Sequence, residues 1–412
     1  LPDFLEGIRS LNFKRKDAQK LARKAAKKLS DESKRLFREL FNNNSDTERK
    51  TERFSITITP QTARHLRNIS DIANRLSELM DFEKVIGNGD YLKTELLWEL
   101  SQIQKQAAEL ANHSNLICWL ETNETESRLC AVPKDLDARL YADLWSNGVP
   151  TILTSGTLSA NGDFSRIKRT LGLDLVGTRL TETSKPSPFD HKNNTLLYIS
   201  ENMPFPNNKN KGYIAALTDE IERLVVASNG HAAVLFTSYN TLGLVYSALK
   251  TRNLPFPMLR LERGSSSAIE QFKASGNGIL FASGSLWEGI DIPGDALSML
   301  IIVRLPFAVP DPIGEYEQTL YASIDEYKNL VIVPDMLVKL KQGFGRLIRT
   351  VRDTGVVAIL DNRVSLCGAY RQRVISSLPL CRITSKIAVV RRFYEIVKDK
   401  KYFQRRKNLC KT

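Results

Sequence analysis

The sequence is poor in the residues from which metal and disulfide sites are built. Its 412 residues include five cysteines, at positions 118, 130, 367, 381 and 410, and four histidines. No two cysteines form a CxxC pair and none has a histidine beside it, so they read as reduced, mostly buried thiols of a cytosolic protein. Long apolar runs are missing too. The best of them, residues 297–309, is broken by Arg304, short of the roughly eighteen residues a membrane helix needs. There is no signal-peptide pattern. A glycine-rich loop closing on Lys-Ser/Thr, which would cradle phosphates, is absent: Gly172-Leu173-Asp174-Leu175-Val176-Gly177 comes nearest, but Thr178-Arg179 follows it. The acidic pairs Asp31-Glu32 and Asp325-Glu326 do not follow buried strands, so neither is placed to hold Mg²⁺. Nor is there a cluster of metal-binding carboxylates of the kind a nuclease uses. The first residue is Leu1 rather than methionine, so an excised or processed piece of a longer chain is expected.

Positive charge is abundant. Fifty-nine Lys and Arg against forty-six Asp and Glu give a net charge of +13, with an isoelectric point near 9.4. Such an excess favours a polyanionic partner, because neutralising clustered phosphates releases counterions. Solubility accounts for part of it. The excess is densest in the first fifty-four residues, where Ser30-Asp31-Glu32 predicts a helix N-cap and Leu36, Phe37, Leu40 and Phe41 an apolar stripe. Residues 42–50 predict a polar loop. Apolar residues then recur every three or four positions over 60–82 and again over 90–114, with Gly87-Asn88-Gly89 between them. That spacing predicts two long antiparallel helices and a short turn, so residues 1–114 read as an all-helical basic module.

From Leu116 the period changes. Residues 116–120 and 128–132 predict short strands, and 135–145 a helix. Val149-Pro150-Thr151-Ile152-Leu153-Thr154 predicts a strand leading into Ser155-Gly156-Thr157-Leu158-Ser159. After a polar linker over 181–206, apolar strands at 232–237, 258–262, 278–282 and 297–303 alternate with helices at 241–252 and 267–274. This alternation specifies an α/β fold with a parallel sheet covered on both faces, and ligands at the carboxyl ends of its strands. At one such end Thr237-Ser238-Tyr239 offers hydroxyls, a helix N-terminus and an aromatic face. Those groups suit a nucleic-acid phosphate and a stacked base, or equally an ordinary helix cap.

The stretch Gln342-Gly343-Phe344-Gly345-Arg346-Leu347-Ile348-Arg349 organises the remainder. In a helix, positions 342, 346 and 349 share a face, which would bear one amide and two guanidinium groups. Guanidinium forks suit a polyphosphate. Gly343 and Gly345 each cost such a helix about 1 kcal/mol, so a close backbone or ligand is expected there. A lone arginine pair at this spacing is usually a solvated face. Here Val333-Pro334-Asp335 predicts a helix start, and Asp353-Thr354-Gly355 a turn into the buried strand 356–360, so the helix is expected to dock on the sheet.

The string QGFGRLIR resembles motif VI of superfamily 2 helicases, and its continuation RTVRDTGVVAILDNR resembles the XPD/DinG branch. Residues 155–159 resemble motif III, usually TSATLS, with Gly156 in place of alanine. WEGID followed by PG, over 287–294, resembles motif V, and LIIVRLPFAVPDP resembles its continuation. The resemblance implies a RecA-like second motor lobe over 181–412, the end of a first lobe over 115–180 and an arch over 1–114. It further implies that Gln342, Arg346 and Arg349 face ATP and Mg²⁺ held by the other lobe, with Arg349 as the arginine finger. Ser155 and Thr157 would couple the lobes, and Glu288, Gly289 and Asp291 would join the nucleotide and DNA sites. Trp287 is read with Thr237, Ser238 and Tyr239 as a nucleic-acid contact, or as core. The implied partner is single-stranded DNA moved 5′ to 3′, with the choice between DNA and RNA left open. A cytoplasmic, nucleoid-associated protein of bacterial type is expected. An iron–sulphur cluster and the oligomeric state stay open, and the chain by itself is expected not to turn over ATP. The alternative is a module that binds single-stranded nucleic acid without hydrolysis.

Overall fold

The computed structural model describes residues 2–43, 53–86, 89–123, 126–160, 162–207, 210–261, 267–284, 292 and 294–404. They divide into two compact units. One comprises Leu1–Leu144 with Val309–Ala322, the other Trp145–Ala308 with Ser323–Thr412.

The first unit is built on helices α1 (Pro2–Ser10), α2 (Lys16–Asn43), α3 (Pro60–Phe82) and α4 (Asp90–Ala111). Thr59 caps α3 by accepting from the Thr62 amide at 3.2 Å, and Pro60 occupies its first turn, where a missing N–H costs nothing. The expected helical hairpin is present. Ser70 Oγ donates to the Gln104 carbonyl at 3.1 Å and Lys93 Nζ to the Asp81 carbonyl at 3.0 Å, which fixes α3 and α4 as antiparallel. The expected helix start at Ser30 is not there. Ala18, Ala22, Ala26, Leu29, Leu36 and Leu40 form one unbroken buried face, so α2 runs straight through. Glu32 is buried rather than exposed in a first turn; it meets His65 Nδ1 at 2.8 Å and accepts from Asn68 Nδ2 at 2.7 Å, tying α2 to α3.

This portion is not wholly helical, because strand β1 (Arg53–Ser55) lies within it. β1 pairs antiparallel with β2 (Leu116–Thr122), which pairs with β3 (Ser127–Pro133). The helix Pro312–Gln318 packs beside this sheet, with Ser55 Oγ bonded to Glu315 and Lys134 Nζ 5.5 Å from the Tyr316 ring. Residues 87 and 88 of the expected turn at 87–89, and most of the expected 42–50 loop, lie outside the described residues.

The second unit carries a seven-stranded sheet in the order β10-β4-β9-β8-β5-β7-β6, every pairing parallel. Its strands are β4 (Thr195–Ile199), β5 (Ala232–Phe236), β6 (Met258–Arg260), β7 (Ile279–Ser283), β8 (Met299–Ile302), β9 (Gly355–Ile359) and β10 (Arg382–Thr384). In β5, Ala232, Val234 and Phe236 enter one apolar cluster with helices α5 (Lys211–Ala227), α6 (Tyr239–Lys250) and α10 (Ile387–Val397). Ala233 and Leu235 enter another with α7 (Ser267–Ser275), α8 (Val333–Phe344) and α9 (Arg371–Ser377). Burial on both faces is why these strands read as continuous apolar runs. Each large side chain so buried contributes about 1.5–3 kcal/mol.

Three expectations need correcting in this unit. The segment 181–206 is not a linker throughout, since it holds β4, buried along its whole length between β10 and β9. Its polar, proline-bearing flanks hide a five-residue apolar core. Residues 149–154 run outside any ladder, with Ile152 90% exposed; apolar sequence alone makes no strand where no neighbour offers hydrogen bonds. The thiols, expected mostly buried, vary: Cys118 is buried, Cys130 and Cys381 half-buried and Cys367 exposed, while Cys410 lies outside the described residues. No helix among the described residues is long and apolar enough to cross a membrane.

Candidate functional site

Gln342 lies in the last turn of α8 and is half-buried; its Nε2 donates to Thr157 Oγ1 at 3.1 Å. Thr157 is shaped in turn by Ser155, whose Oγ accepts from the Thr157 amide at 3.2 Å and stands 3.3 Å from its hydroxyl. The segment expected to couple the lobes therefore touches the residue expected to face the nucleotide.

The helix does not continue to Arg349, so the expected helical face of three residues is not formed. α8 ends at Phe344 with Gly345 as its C-cap, the Gly345 amide donating to the Lys341 carbonyl at 2.9 Å. A Cβ on Gly345 would find its nearest neighbours at 3.4 Å and 3.6 Å, so this glycine is a helix terminator rather than a point of close approach. Leu347 and Ile348 are both 2% exposed and join the apolar cluster on the α8 side of the sheet. Asp353 fixes the turn that follows by accepting from the amides of Arg349 at 2.8 Å and Thr350 at 2.7 Å. Gly355 closes it, since a Cβ there would lie 2.3 Å from the Ser298 carbonyl oxygen. Arg346 and Arg349 leave this turn half-buried, each with its Nε buried. Arg346 borders a small cavity against Ala233, Leu280, Leu297 and Leu300, its stem lying on apolar carbon. Leu337 and Val333 of α8 help seal the same sheet face. The helix has no capped start at Val333; the chain is already helical through Ile324–Tyr327 and Lys328–Ile332, and Ile332 has helical backbone angles.

The sequence places every motif at the carboxyl ends of the strands; the structure separates them. α8 precedes β9 and runs against the strand direction, so the Arg346–Arg349 turn arrives at the amino edge of the sheet. There Asn194, the residue before β4, donates from Nδ2 to the Val351 carbonyl at 3.2 Å. Thr237, Ser238 and Tyr239 do lie at a carboxyl end, that of β5. Ser238 is the N-cap of α6, accepting from the Thr241 amide at 3.4 Å. The Tyr239 hydroxyl reaches the Ser283 carbonyl at the end of β7, at 3.5 Å, and its ring is half-buried. The cap and the available aromatic face thus coexist. Gly284, at φ +71°, turns the chain out of β7. Trp287, Glu288, Gly289 and Asp291 follow and lie outside the described residues.

Sequence reasoning missed a second clasp. Arg166 donates from Nε and Nη2 to both carboxylate oxygens of Asp335, each at 3.1 Å, joining the helix Ser165–Thr170 to the start of α8. Asp335 had been read as a helix-start acid, and nothing local to Arg166 signals a partner 169 residues away. It also missed Asp361, fully buried just after β9, which accepts from the Leu305 amide at 2.9 Å and from Arg363 Nη2 at 2.6 Å. Beneath the turn, His191 lies 5.7 Å from the Phe344 ring, with Thr195 Oγ1 3.3 Å from its Nδ1. Burial there pushes its pKa below the ordinary 6.5.

A seven-stranded parallel sheet covered by helices on both faces is the architecture of a RecA-like α/β lobe. A helicase C-terminal domain model matches residues 221–380. The ATP-dependent DNA helicase YoaA of Escherichia coli K12 is 33% identical over 282 residues, which cover 68% of this chain and 43% of that protein. The ATP-dependent helicase DinG of Mycobacterium tuberculosis H37Rv is 31% identical over 293 residues, covering 69% and 43%. The solved structure of S. tokodaii Xpd4 is similar in fold, with a TM-score of 0.54 over 93% of this chain and 74% of that one, at 15% identity. The chain spans less than half the length of these curated relatives. It belongs to the DinG/XPD-like helicases and corresponds to a C-terminal portion of them.

Proposed function

We propose that this chain supplies the arch and second motor lobe of a DinG-like, ATP-dependent DNA helicase that moves 5′ to 3′ on single strands. Residues 1–114 serve as the arch, 115–180 as the end of the first lobe and 181–412 as the second lobe. The observation that carries this reading is the Gln342–Thr157 hydrogen bond, which joins the motif VI and motif III counterparts beside two arginines. The donor set of one amide and two guanidinium groups fits the phosphates of ATP. Bound with Mg²⁺, that nucleotide supplies the phosphoryl group whose transfer drives movement. Gln342 would orient it, Arg346 would contact its phosphates, and Arg349 would neutralise the charge that develops in the transition state. Thr237, Ser238 and Tyr239 at the opposite edge, with Trp287, would hold phosphate and base. Glu288, Gly289 and Asp291 would link the two sites.

This division of labour sets the nucleotide groups and the nucleic-acid groups at opposite edges of the sheet that holds β5. The strand is five residues long, hence about 17 Å from one end to the other. A rigid sheet spanning that distance can carry a displacement at one edge to the other. The test is ATP turnover with and without single-stranded DNA, by the chain alone and by a polypeptide that adds a phosphate-holding lobe. The expected result is no turnover by the chain and DNA-stimulated turnover by the larger protein. A larger protein that binds DNA without stimulated turnover favours the second reading, a non-hydrolysing binding module. The observation behind that alternative is that the chain contains no phosphate loop or metal-binding acidic pair of its own.

A further inference from the structure

The outer face of α4 shows two aromatic rings to solvent. Tyr91 is 81% exposed and Trp98 65%. Two helical turns separate them, so they lie on one side of α4 about 10 Å apart. Trp98 stands two residues from each of the buried Leu96 and Leu100, about 200° around the axis, and the stripe therefore points away from the core. Among the described tryptophans it is the exception. Trp119 and Trp145 are half-buried and donate their indole N–H groups, to Glu121 at 3.1 Å and to the Leu171 carbonyl at 2.7 Å. Phe82, at the end of α3, is 92% exposed. Lys93 of α4 reaches the carbonyls on either side of it, those of Asp81 at 3.0 Å and Glu83 at 2.9 Å. The charge here is acidic where the chain as a whole is basic. α4 carries four Asp and Glu against two Lys. Asp90 and Glu95 are exposed beside the rings, and Glu99 is half-buried next to Trp98. Of the two lysines, Lys93 is engaged by those carbonyls and Lys105 lies two turns beyond Trp98.

We infer that this face docks a partner protein by way of a basic amphipathic helix. Exposed Tyr and Trp supply large, rigid contact area at little cost in conformational entropy, and such residues dominate the energy of protein interfaces. The carboxylates of Glu95 and Glu99, one turn apart, fix the sign of the partner. Its guanidinium groups pair with them and stack on the two rings, while its apolar residues, recurring at three-and-four spacing, pack along the stripe. The same charges disfavour nucleic acid, whose phosphates would meet Asp90, Glu95 and Glu99. An anionic membrane surface is repelled in the same way. The inference is independent of the motor reading, and either can fail without the other.

The test uses the whole chain and fluorescence anisotropy near physiological salt. The probe is a labelled eighteen-residue peptide of leucine and arginine, with leucine along one helical face. Beside it are run a peptide of the same composition in an order that destroys the face, a leucine–glutamate peptide of the first pattern, and a labelled 20-nucleotide thymidine strand. The patterned leucine–arginine peptide is expected to bind, and Tyr91→Ala with Trp98→Ala to weaken it at least about tenfold. Glu95→Gln with Glu99→Gln is expected to weaken it by a similar factor and to flatten its salt dependence. Leu21→Ala, which removes an exposed leucine from α2, is expected to change nothing. Thermal melts matching the parent chain show that each variant is folded. Absence of peptide binding, equal binding of the reordered or the acidic peptide, or undiminished binding to the Tyr91→Ala, Trp98→Ala variant overturns the inference. So does loss of thymidine-strand binding in that variant, which would make the rings a base-stacking platform. Self-association in sedimentation velocity that the variant abolishes would make the occupant a second copy and overturn it as well.

Discussion

Gln342 and Thr157 are 185 residues apart in sequence and 3.1 Å apart in space. The hydrogen bond ties the last turn of α8 to a loop that forms no helix or strand of its own. Replacing Thr157 with Val removes the acceptor and keeps the shape. Because both groups are half-buried, the cost to folding is expected to be small, about 1 kcal/mol in urea denaturation of the chain. The functional effect is expected to be larger. In a helicase containing this chain, Thr157→Val should lower the number of bases unwound per ATP while leaving most ATP turnover intact. A parallel fall in both quantities would count against coupling.

Arg349 provides the second test. Its backbone is fixed by Asp353 through the 2.8 Å bond to its amide, so the side chain leaves a rigid turn rather than a mobile loop. An arginine in that setting is suited to a transition-state role, for which losses of about 10³-fold or more in kcat are typical. Arg349→Ala is expected to reach that range in the helicase with little change in KM for ATP. Arg349→Lys should not restore it, because an ammonium cannot replace a planar fork. A KM effect alone would assign Arg349 to binding instead.

Much of this fold was legible because its strongest signals are local. Residues 356–360 are apolar without interruption, and the strand they predict is β9, buried on both faces. The pair α3 and α4 was equally plain from its three-and-four spacing. Failures came where tertiary contacts outweigh local pattern. Ser30 looks like a helix cap, yet the alanine-lined face of α2 continues past it. Gln342, Arg346 and Arg349 would share a face on an ideal helix, but the helix ends at Phe344 and Asp353 holds the residues that follow in a turn. The edge to which the Arg346–Arg349 turn belongs was implicit in element order, since a segment between a helix and the next strand of a parallel sheet lies at the amino edge, but the motif reading set it at a carboxyl end. No spacing rule reports a pair such as Arg166 and Asp335.

That pair is accessible to a double-mutant cycle. Both partners are partly exposed, 24% and 42% for the side chains, so solvent screening limits the interaction to about 1 kcal/mol even with two parallel hydrogen bonds. Asp335→Asn and Arg166→Gln are each expected to destabilise the second unit modestly, and the double variant by less than their sum. Exchanging the residues, Arg166→Asp with Asp335→Arg, should recover part of the loss. The diagnostic readout is the coupling ratio described for Thr157. If the clasp positions the Ser155–Ser159 loop, the single variants lower that ratio and the exchange restores it; a stability effect without a coupling effect would leave the clasp purely structural.

The pH dependence of stability follows from two buried histidines in the second unit. His191 sits under α8 and His231 stacks on Tyr402 with ring centroids 4.1 Å apart. Burial lowers both below the ordinary value of 6.5. A histidine lowered by folding binds fewer protons in the native state than in the unfolded chain. Unfolding therefore takes up protons, and stability falls as pH drops below 6.5 toward the folded pKa values, while above 6.5 this contribution is flat. Glu32 in the first unit acts lower on the scale. Desolvation opposes its charged form, but hydrogen bonds from Asn68 and His65 prevail and hold its pKa below 4.5. Its stabilising contribution is present above 4.5 and is lost as pH falls through the folded value. Chemical denaturation followed across pH should show a first decline beginning near 6.5 and a second below 4.5. His191→Gln with His231→Gln is expected to remove the first decline and Glu32→Gln to reduce the second, to which other carboxylates held below their ordinary value, such as Asp163, also contribute; each variant lowers overall stability as well. A first decline that survives the double histidine variant would mean that other groups govern the acid sensitivity of the second unit.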